Sequence, residues 1–309
     1  MTKIGYLLPT RESVMEGRPE ATPLVALAER ADALGYDSVW IGDSVISRPR
    51  HDPITLLAAA AARTKRVLLG TAVLLPALRN PVVLAHQVAT LDRIAEGRVI
   101  LGVGIASDVP SIRAEFEAVG VPFEKRVGRL LEGLALARAL WSGEPVTWTG
   151  RWRLTDAVLG PTPHRPGGPP LWLGGAVPAT IDRVGRFFDG WFPNSPGAAL
   201  FADYWRKMKA AAAAHGRNPG ALTGAVYMTF AVDDDQAKAD ATIDRFLARY
   251  YGQPADVIRK RQPSYAGPLA GARAAIAAYV AAGASHIILR FAGDHERHLD
   301  LFAGIAHTL

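Results

Sequence analysis

Short apolar runs alternate along this chain with longer segments in which apolar residues recur every three or four positions. Val67 to Val73 and Arg98 to Val103 are two such runs, and the segment between them carries apolar residues at helical spacing. Asn80-Pro81 predicts the start of that helix, because Asn caps helices well and Pro fits the first helical position. Continuous rather than alternating hydrophobicity is typical of strands buried on both faces, as in a parallel sheet covered by helices.

This strand–helix–strand unit recurs along the chain and predicts eight strands. They are Lys3 to Leu8, Ser38 to Gly42, Val67 to Val73, Arg98 to Val103, Leu171 to Leu173, Gly190 to Phe192, Ala225 to Val232 and Ser285 to Phe291. Strands and helices in this order close most simply into a (β/α)8 TIM barrel, an α/β fold that suits a chain of 309 residues. The alternative is an open doubly wound sheet, but its phosphate-binding glycines are missing after the first strand.

We expect a single domain over residues 1–309, with insertions near residues 105–123, 143–170 and 252–269. Thr147 to Trp152 predicts a small hairpin. Gly160 to Pro170 is rich in Pro and Gly and predicts a loop, since such a run can be neither helix nor central strand. Asp235 to Tyr251 is predicted to be the helix that belongs to strand seven.

Composition narrows the classes of function. The chain has no cysteine, which excludes disulfides, thiolate metal sites and cysteine nucleophiles, and His295 and His298 lack further ligands for a metal. The net charge is +6, but the basic residues are scattered over many helices, so we expect no nucleic-acid partner. No apolar run approaches the ~20 residues that span a bilayer and no signal-peptide pattern opens the chain, which predicts a cytoplasmic protein without membrane contact.

Candidate chemistry is restricted to the carboxyl ends of the strands, where such barrels carry their active sites. Gly174 to Ala176 follows strand five, where exposed backbone and the next helix favour a phosphate, with a tight turn as the alternative. Asp43 follows strand two and is either a proton-transfer or ligand-binding group or a loop cap. Arg48 and Arg50 in the same loop bind an acidic group or are solvated. Arg290 ends strand eight, so its charge lies over the barrel mouth or pairs with a carboxylate there.

Six blocks in this order resemble the bacterial luciferase-like monooxygenase family. They are Leu34 to Asp43, Leu69 to Val73, Asn80 to Arg98, Leu101 to Gly104, Trp172 to Gly175 and Asp189 to Phe192. The resemblance covers nearly the whole chain. It implies a (β/α)8 barrel that uses reduced flavin mononucleotide (FMN) or the related deazaflavin coenzyme F420.

The resemblance also implies where the cofactor binds. The predicted cofactor-binding residues are Thr71, Ala72, Val73, Gly104, Ser107, Gly174, Gly175, Ala176 and Asn194, with Asp43 close to the cofactor. Gly174 to Ala176 corresponds to the phosphate site. Thr71 to Val73 corresponds to a bulge that supports the isoalloxazine ring, and a non-proline cis peptide is expected at Ala72–Val73.

Two departures from the family pattern bear on the choice of cofactor. Many deazaflavin-dependent members have a histidine after the aspartate that corresponds to Asp43, and this chain has Ser44. An acidic residue and an asparagine of some deazaflavin dehydrogenases are replaced by Ser107 and Pro110. These changes argue against a sugar-phosphate dehydrogenase and leave other deazaflavin enzymes open.

We therefore expect an oxidoreductase that uses reduced FMN and O2 to oxidise a small organic substrate. Asp43, Arg79 and Arg290 are the residues predicted to orient substrate and transfer protons. One alternative is F420-dependent hydride transfer, and another is a barrel that binds a flavin or other ligand without turnover. A separate flavin reductase is a candidate partner, and a homodimer is expected. The loops from Ser44 to Asp52 and from Ser107 to Pro122, with the Pro-rich stretch, are predicted to form a lid.

Overall fold

The computed structural model describes residues 2–193 and 197–306, which form a closed barrel of eight parallel strands. The strands are β1 (Lys3–Leu7), β2 (Ser38–Ile41), β3 (Leu68–Thr71), β4 (Val99–Val103), β5 (Val146–Thr149), β6 (Arg153–Ala157), β7 (Leu171–Gly174), β8 (Gly190–Phe192), β9 (Thr223–Val232), β10 (Ser264–Gly267) and β11 (His286–Phe291). The order around the barrel is β1-β2-β3-β4-β7-β8-β9-β11, and β5 and β6 form a separate antiparallel hairpin.

Two pairings close the barrel. Lys3 of β1 lies opposite His286 of β11, and Gly190 of β8 lies opposite Thr223 of β9. The predicted (β/α)8 fold is confirmed, and the open doubly wound sheet is wrong because no edge of the barrel is left unpaired.

The helices are α1 (Thr10–Met15), α2 (Thr22–Ala33), α3 (Pro53–Arg63), α4 (Pro81–Ile94), α5 (Pro110–Ala118), α6 (Arg126–Leu140), α7 (Pro178–Phe187), α8 (Ala198–Ala214), α9 (Gln236–Tyr251), α10 (Ala255–Arg259), α11 (Leu269–Ala281) and α12 (His295–Ala306), with short 3-10 helices at Pro76–Leu78, Phe123–Lys125 and Pro219–Ala221. An outer helix follows each barrel strand, namely α2, α3, α4, α6, α7, α8, α11 and α12. Asn80 caps α4 as predicted, since its Oδ1 accepts the N–H of Val82 at 2.9 Å. No helix in the described part of the chain is long and apolar enough to cross a bilayer.

Aromatic side chains fill the barrel interior below the mouth. Trp40 packs against Trp172 and Phe192, with ring centroids 5.3 and 5.1 Å away. Gly70 makes room for Trp40, because a Cβ there would lie 2.1 Å from Cε3 of the indole. Since this interior is packed with side chains, a ligand can enter only from an end of the barrel.

Between β9 and α11 the chain makes an excursion across the carboxyl ends of the strands. It consists of α9, α10 and β10, and Ser264 of β10 lies opposite Thr229 in the last part of β9. Ile243 and Leu247 of α9 pack with Ile258 in a satellite apolar cluster. The prediction that α9 is the outer helix of strand seven is therefore wrong: α11 occupies that place, and the end of α9 reaches the barrel mouth. The excursion begins at α9, before the insertion predicted near residues 252–269.

The Pro-rich stretch lies at the opposite end of the barrel. The carbonyl of Pro170 accepts the N–H of Leu101 at 2.9 Å, and residues 167–170 line a cavity together with Lys3 and Ser285 at the amino ends of the strands. This stretch cannot form part of a lid over the mouth, because it leads into the amino end of β7.

Candidate active site

A cavity of about 630 Å³ opens at the carboxyl ends of the barrel strands. This volume is typical of small-molecule sites. The walls come from the loops after β2, β3, β4 and β7, from Tyr227 of β9, and from the end of α9. The loops from Ser44 to Asp52 and from Ser107 to Pro122 both contribute side chains to these walls, as the predicted lid requires.

The floor of the cavity is built on the segment after β3. The Ala72–Val73 peptide bond is cis, as the family resemblance implies. Val73 lies close to the neighbouring strands because glycine stands at both contact points: a Cβ would lie 2.7 Å from Val73 Cγ2 at Gly104 and 3.4 Å from Val73 Cγ1 at Gly174. The Thr71 hydroxyl turns away and donates to the carbonyl of Gly102 at 2.7 Å. Ala72, Val73 and the two glycines therefore form a closely packed apolar surface at the cavity.

Asp43 is held by Arg79. Nη1 and Nη2 of Arg79 donate to the two carboxylate oxygens at 2.6 and 3.0 Å, and the N–H of Leu75 donates to Oδ2 at 2.9 Å. Nη2 of Arg79 also donates to Asp52 at 3.2 Å. Burial works against the Arg79 cation, but its bonds to Asp43 and Asp52 outweigh this and raise its pKa. The Asp43 carboxylate, 2% exposed, thus ties the loop after β2 to the floor segment.

The turn after β7 leads directly into the amino terminus of α7. Gly175 has a φ of 100°, a conformation that favours glycine, and no side chain caps the helix. The uncapped helix N-terminus attracts an anion through its free N–H groups and the helix dipole. Arg183, on the same helix, also lines the cavity. Such a turn can bind a phosphate without a side chain in the way.

Glu115 of α5 organises the loop after β2, and the sequence pattern did not single it out. Its Oε1 accepts the hydroxyl of Ser44 at 2.9 Å and the backbone N–H groups of Val45, Ile46 and Ser47 at 2.5, 2.8 and 3.2 Å. The carboxylate is 1% exposed, and its Oε2 is buried without a hydrogen-bond partner. Glu115 therefore positions the loop that carries Arg48 and Arg50.

Arg290 forms the centre of a network on the far wall. Its Nε and Nη2 donate to the Thr229 hydroxyl at 3.0 and 2.7 Å, and its Nη1 donates to the Tyr251 hydroxyl at 2.9 Å. The guanidinium carbon also lies 4.8 Å from the Tyr250 ring centroid and 5.2 Å from that of Tyr227. Arg290 is 2% exposed, and these bonds keep its charge satisfied without a carboxylate contact.

The cavity as a whole is cationic. Arg48, Arg50, Arg126, Arg183 and Arg290 all line it, and no carboxylate of a described residue lies within ion-pair distance of any of the five. The acidic lining residues are occupied elsewhere: Asp43 by Arg79, Asp108 by Arg113 and Glu115 by backbone. Cations whose partners are all neutral leave a positive potential in the cavity, which favours an anionic ligand.

The predicted site residues divide into three groups. Those that line the cavity are Asp43, Ala72, Val73, Gly104, Ser107, Gly174, Gly175 and Arg290. Thr71, Arg79 and Ala176 are adjacent in sequence or bonded to lining residues but do not themselves line the cavity, and Asn194 lies outside the described residues. The cavity also contains Glu115, Arg126, Tyr227, Tyr251 and Gln262, which the sequence did not mark. The described residues hold no cluster of three acidic or histidine side chains that could bind a metal ion.

The fold and this cavity define an α/β-barrel protein whose cavity has an apolar floor and a lining rich in arginine. A family model described as luciferase-like monooxygenase matches residues 2–308. The chain belongs to this family, whose members bind a flavin or F420, and it is an oxidoreductase of the luciferase-like type.

Individual relatives fall into two groups by name. The F420-dependent glucose-6-phosphate dehydrogenase of Kineococcus radiotolerans is 32% identical over 97% of this chain and 95% of its own length. The 5,10-methylenetetrahydromethanopterin reductase of Methanolobus tindarius is 29% identical over 76% of this chain and 69% of its own. Among solved structures, monooxygenase RslO1 from Streptomyces bottropensis superposes with a TM-score of 0.84 at 26% identity, covering 99% of this chain and 100% of its own. An F420-dependent secondary alcohol dehydrogenase in complex with an F420-acetone adduct superposes with a TM-score of 0.83 over 98% of both chains, but at 22% identity it shows the fold alone.

The residues present fit an anionic cofactor with a planar ring. The φ of Gly175 leaves an open cradle at the helix terminus, where the nearest atom to an added Cβ is Thr180 Oγ1 at 3.6 Å. Arg126 also lines the cavity, and its Nε is buried without a hydrogen-bond partner. The apolar floor at Ala72 and Val73 suits the face of an aromatic ring.

Proposed function

We propose that this protein is an F420-dependent oxidoreductase that transfers a hydride between the deazaflavin and a small organic alcohol or carbonyl compound. The observation that carries the proposal is the cationic lining of the cavity, with five arginines that form no ion pair with a carboxylate of the described residues. Coenzyme F420 has a phosphodiester and a tail bearing several carboxylates, whereas FMN has one phosphate. The lining therefore suits the more acidic cofactor better.

The relatives support the same choice. Curated relatives at 30% identity or more over at least nine-tenths of this chain carry the name F420-dependent glucose-6-phosphate dehydrogenase. The substitutions at Ser44, Ser107 and Pro110 argue against glucose 6-phosphate itself, so the proposal extends to the cofactor and not to that sugar phosphate. The expectation from sequence placed FMN first, whereas the charge of the cavity supports F420 as the first candidate.

The chain supplies binding, orientation and exclusion of water, while the bound deazaflavin supplies a carbon that accepts or gives a hydride. In this proposal the α7 terminus and Gly175 bind the phosphate, and Arg126 and Arg183 bind the acidic tail. Ala72 and Val73 support one face of the ring. The packed aromatic interior beneath them keeps water from the ring.

The second candidate is the FMN-dependent monooxygenase expected from the sequence. It is favoured by the match to monooxygenase RslO1 over 99% of this chain at 26% identity. The same phosphate turn and apolar floor would hold reduced FMN. Only this candidate calls for a separate flavin reductase, and in both the homodimer stays a prediction.

The two candidates are separated by titrating the protein with F420 and with FMN under anaerobic conditions, in oxidised and reduced forms. We expect F420 to bind at least tenfold more tightly, and a difference of about 1.4 kcal/mol corresponds to that factor. Changing Arg126 to Gln should weaken F420 more than FMN, while Arg186→Gln, on the exposed side of α7, should affect neither. Tighter binding of reduced FMN, with oxygen uptake, would reverse the proposal.

A further inference from the structure

Hydride transfer to or from an oxygen-bearing carbon also requires a group that takes or gives a proton. None of the described histidines lines the cavity. Asp43 accepts hydrogen bonds from Arg79 and from the N–H of Leu75, and Glu115 accepts hydrogen bonds from the loop after β2. Both carboxylates are therefore engaged in structural hydrogen bonds. The hydroxyl of Ser44 donates to Glu115. The usual acids and bases are therefore committed to structure.

A phenol network on the far wall remains. The Tyr251 hydroxyl accepts from Nη1 of Arg290 at 2.9 Å, lies 3.2 Å from the Tyr227 hydroxyl, and donates to Oε1 of Gln262 at 2.8 Å. All four side chains line the cavity. Three polar groups thus converge on one phenol oxygen, and one of them is a permanent cation.

The network begins beside the floor. The Tyr227 ring meets Phe192 edge to face at 6.2 Å and packs on the same interior cluster as Ala72 and Val73. The phenol oxygens therefore lie on the wall that rises from the surface where the ring is expected. A substrate lying on that ring can bring its hydroxyl or carbonyl oxygen toward Tyr251.

The charges around Tyr251 come from several elements. Arg290 of β11 contacts its hydroxyl, Arg48 lies 5.6 Å from its ring centroid, and Tyr250 packs against it. Glu12 of α1 forms no ion pair with Arg290, but its charge attracts the guanidinium at longer range and contributes to raising the pKa of Arg290. Burial raises the pKa of Tyr251, but the Arg290 charge and the hydrogen bonds outweigh it, so the net direction is downward. Burial raises the pKa of Tyr227 well above its usual value, so Tyr227 keeps its proton and serves as a donor.

We propose that Tyr251 is the catalytic acid and base of this site, held in place by Arg290 and Tyr227 as positioning residues. The inference rests on the proposed hydride transfer. When an alcohol is oxidised, its C–H bond breaks and the hydrogen leaves with both electrons for oxidised F420. Its O–H bond also breaks, and the proton forms a new O–H bond on the phenolate oxygen of Tyr251. The C=O bond of the product forms at the same time. In carbonyl reduction the Tyr251 hydroxyl would give its proton to the substrate oxygen, and the hydride would come to the carbonyl carbon from the reduced cofactor.

The first test needs no cofactor. Tyrosinate absorbance in the near ultraviolet is followed against pH for the wild type and for Tyr251→Phe, with Tyr204→Phe on the outer helix α8 as the matched control. We expect the wild-type minus Tyr251→Phe difference to show one phenol that ionises below pH 10, the ordinary value. Tyr227→Phe should shift this ionisation upward, because it removes a donor to the phenolate. A Tyr251 phenol that ionises at or above the ordinary value would overturn the proposal.

The second test follows hydride transfer. Simple alcohols are first screened as substrates of the wild type with F420. Tyr251→Phe should then lower kcat at least ~100-fold and flatten the rise of the oxidation rate with pH, while the Kd for F420 stays unchanged. Tyr227→Phe should move the pH profile upward and lower kcat at neutral pH by less than Tyr251→Phe does, because it removes a donor to the phenolate and leaves the proton-transfer group itself in place. If the wild type turns over F420 and Tyr251→Phe keeps both its kcat and its pH profile, Tyr251 is not the proton-transfer group. If the wild type neither binds nor turns over F420, the proposed function fails, and the phenol titration alone decides the ionisation of Tyr251.

Discussion

Asp43 shows at the residue scale how the partners of a side chain decide its role. From sequence it was a candidate for proton transfer, for ligand binding or for capping a loop. In the fold both of its oxygens accept hydrogen bonds, from Arg79 and from the N–H of Leu75, and the side chain is 2% exposed. A carboxylate held in this way stabilises the floor of the site, and we predict a structural role for Asp43 in place of the proton transfer expected from sequence.

This role predicts a loss of stability on substitution. Asp43→Asn should lower the free energy of unfolding by about 3 kcal/mol, because it leaves the buried Arg79 charge with only Asp52 as partner. Urea denaturation measures the change. Asp300→Asn, which breaks the exposed pair with Arg30, is the matched control and should cost less than about 1 kcal/mol. An Asp43→Asn variant with full stability and reduced turnover would return Asp43 to the catalytic candidates.

Gly175 makes the second residue-scale prediction. A valine there would place a branched side chain in the cradle at the amino terminus of α7. The affinity for F420 or FMN should then fall at least tenfold, because the loss of one charge-assisted hydrogen bond costs ~1.5–3 kcal/mol of binding free energy. Gly216→Val is the matched control, since Gly216 also has a positive φ, of 69°, and lies at the end of α8 away from the cavity. Equal cofactor affinity in the two folded variants would mean that the phosphate binds elsewhere.

At the scale of elements, the site depends on a helix that has no place in the simple barrel pattern. α5 lies between β4 and α6, and its Glu115 gathers the backbone N–H groups of Val45, Ile46 and Ser47. A carboxylate bound by several N–H groups stabilises a loop much as a cap stabilises a helix. The loop after β2 and the insertion after β4 are therefore one structural unit over the mouth.

This unit predicts a local change in dynamics. Glu115→Ala should speed hydrogen exchange at Val45, Ile46 and Ser47 at least tenfold, while the β5–β6 hairpin keeps its rates. Glu117→Ala removes an exposed carboxylate from the same helix and is the control. Unchanged protection at the three amides in a folded Glu115→Ala variant would show that other contacts hold the loop.

At the scale of the whole molecule, the barrel interior buries a histidine. Nε2 of His286 lies 2.6 Å from Ser38 Oγ, which accepts from the Trp40 indole at 2.7 Å, and the ring is 1% exposed. Because the Trp40 indole can only donate, we assign the Ser38 hydrogen to Nε2 of a neutral imidazole. Burial, with a smaller effect of Lys3, lowers the pKa of His286 to about 3.

This burial predicts how global stability depends on pH. Below pH 6.5 His286 binds a proton in the unfolded chain but stays neutral in the folded one. The contribution of His286 to the free energy of unfolding therefore falls by ~1.4 kcal/mol per pH unit, down to about pH 3. His286→Gln should remove that slope, so its stability relative to the wild type should rise by roughly 2 kcal/mol between pH 6.5 and pH 4.5. His164→Gln, at an exposed histidine, is the control in urea denaturation at several pH values. Parallel curves for the wild type and His286→Gln would contradict the neutral assignment.

The sequence by itself determined the barrel and the end at which the site lies. Strands buried on both faces must be apolar throughout, and caps such as Asn80 act on the backbone next to them, so both leave a local pattern. For this reason the predicted strands agree with the observed ones within a few residues. The sequence also pointed to Gly175 and to the cis peptide at Ala72–Val73. A glycine required by the backbone conformation and a match to family motifs can both be recognised from local sequence.

Only the tertiary structure decided which side chains share the cavity. Tyr251 ends a helix that a regular barrel would send to its base, and the excursion across the strand ends brings it to Arg290, 39 residues further along the chain. Arg79 reaches back to Asp43, and Glu115 reaches the loop after β2, over separations of 36 and about 70 residues. Hydrogen bonds and charge pairs of this range depend on three-dimensional proximity alone, which periodicity and local propensity do not encode.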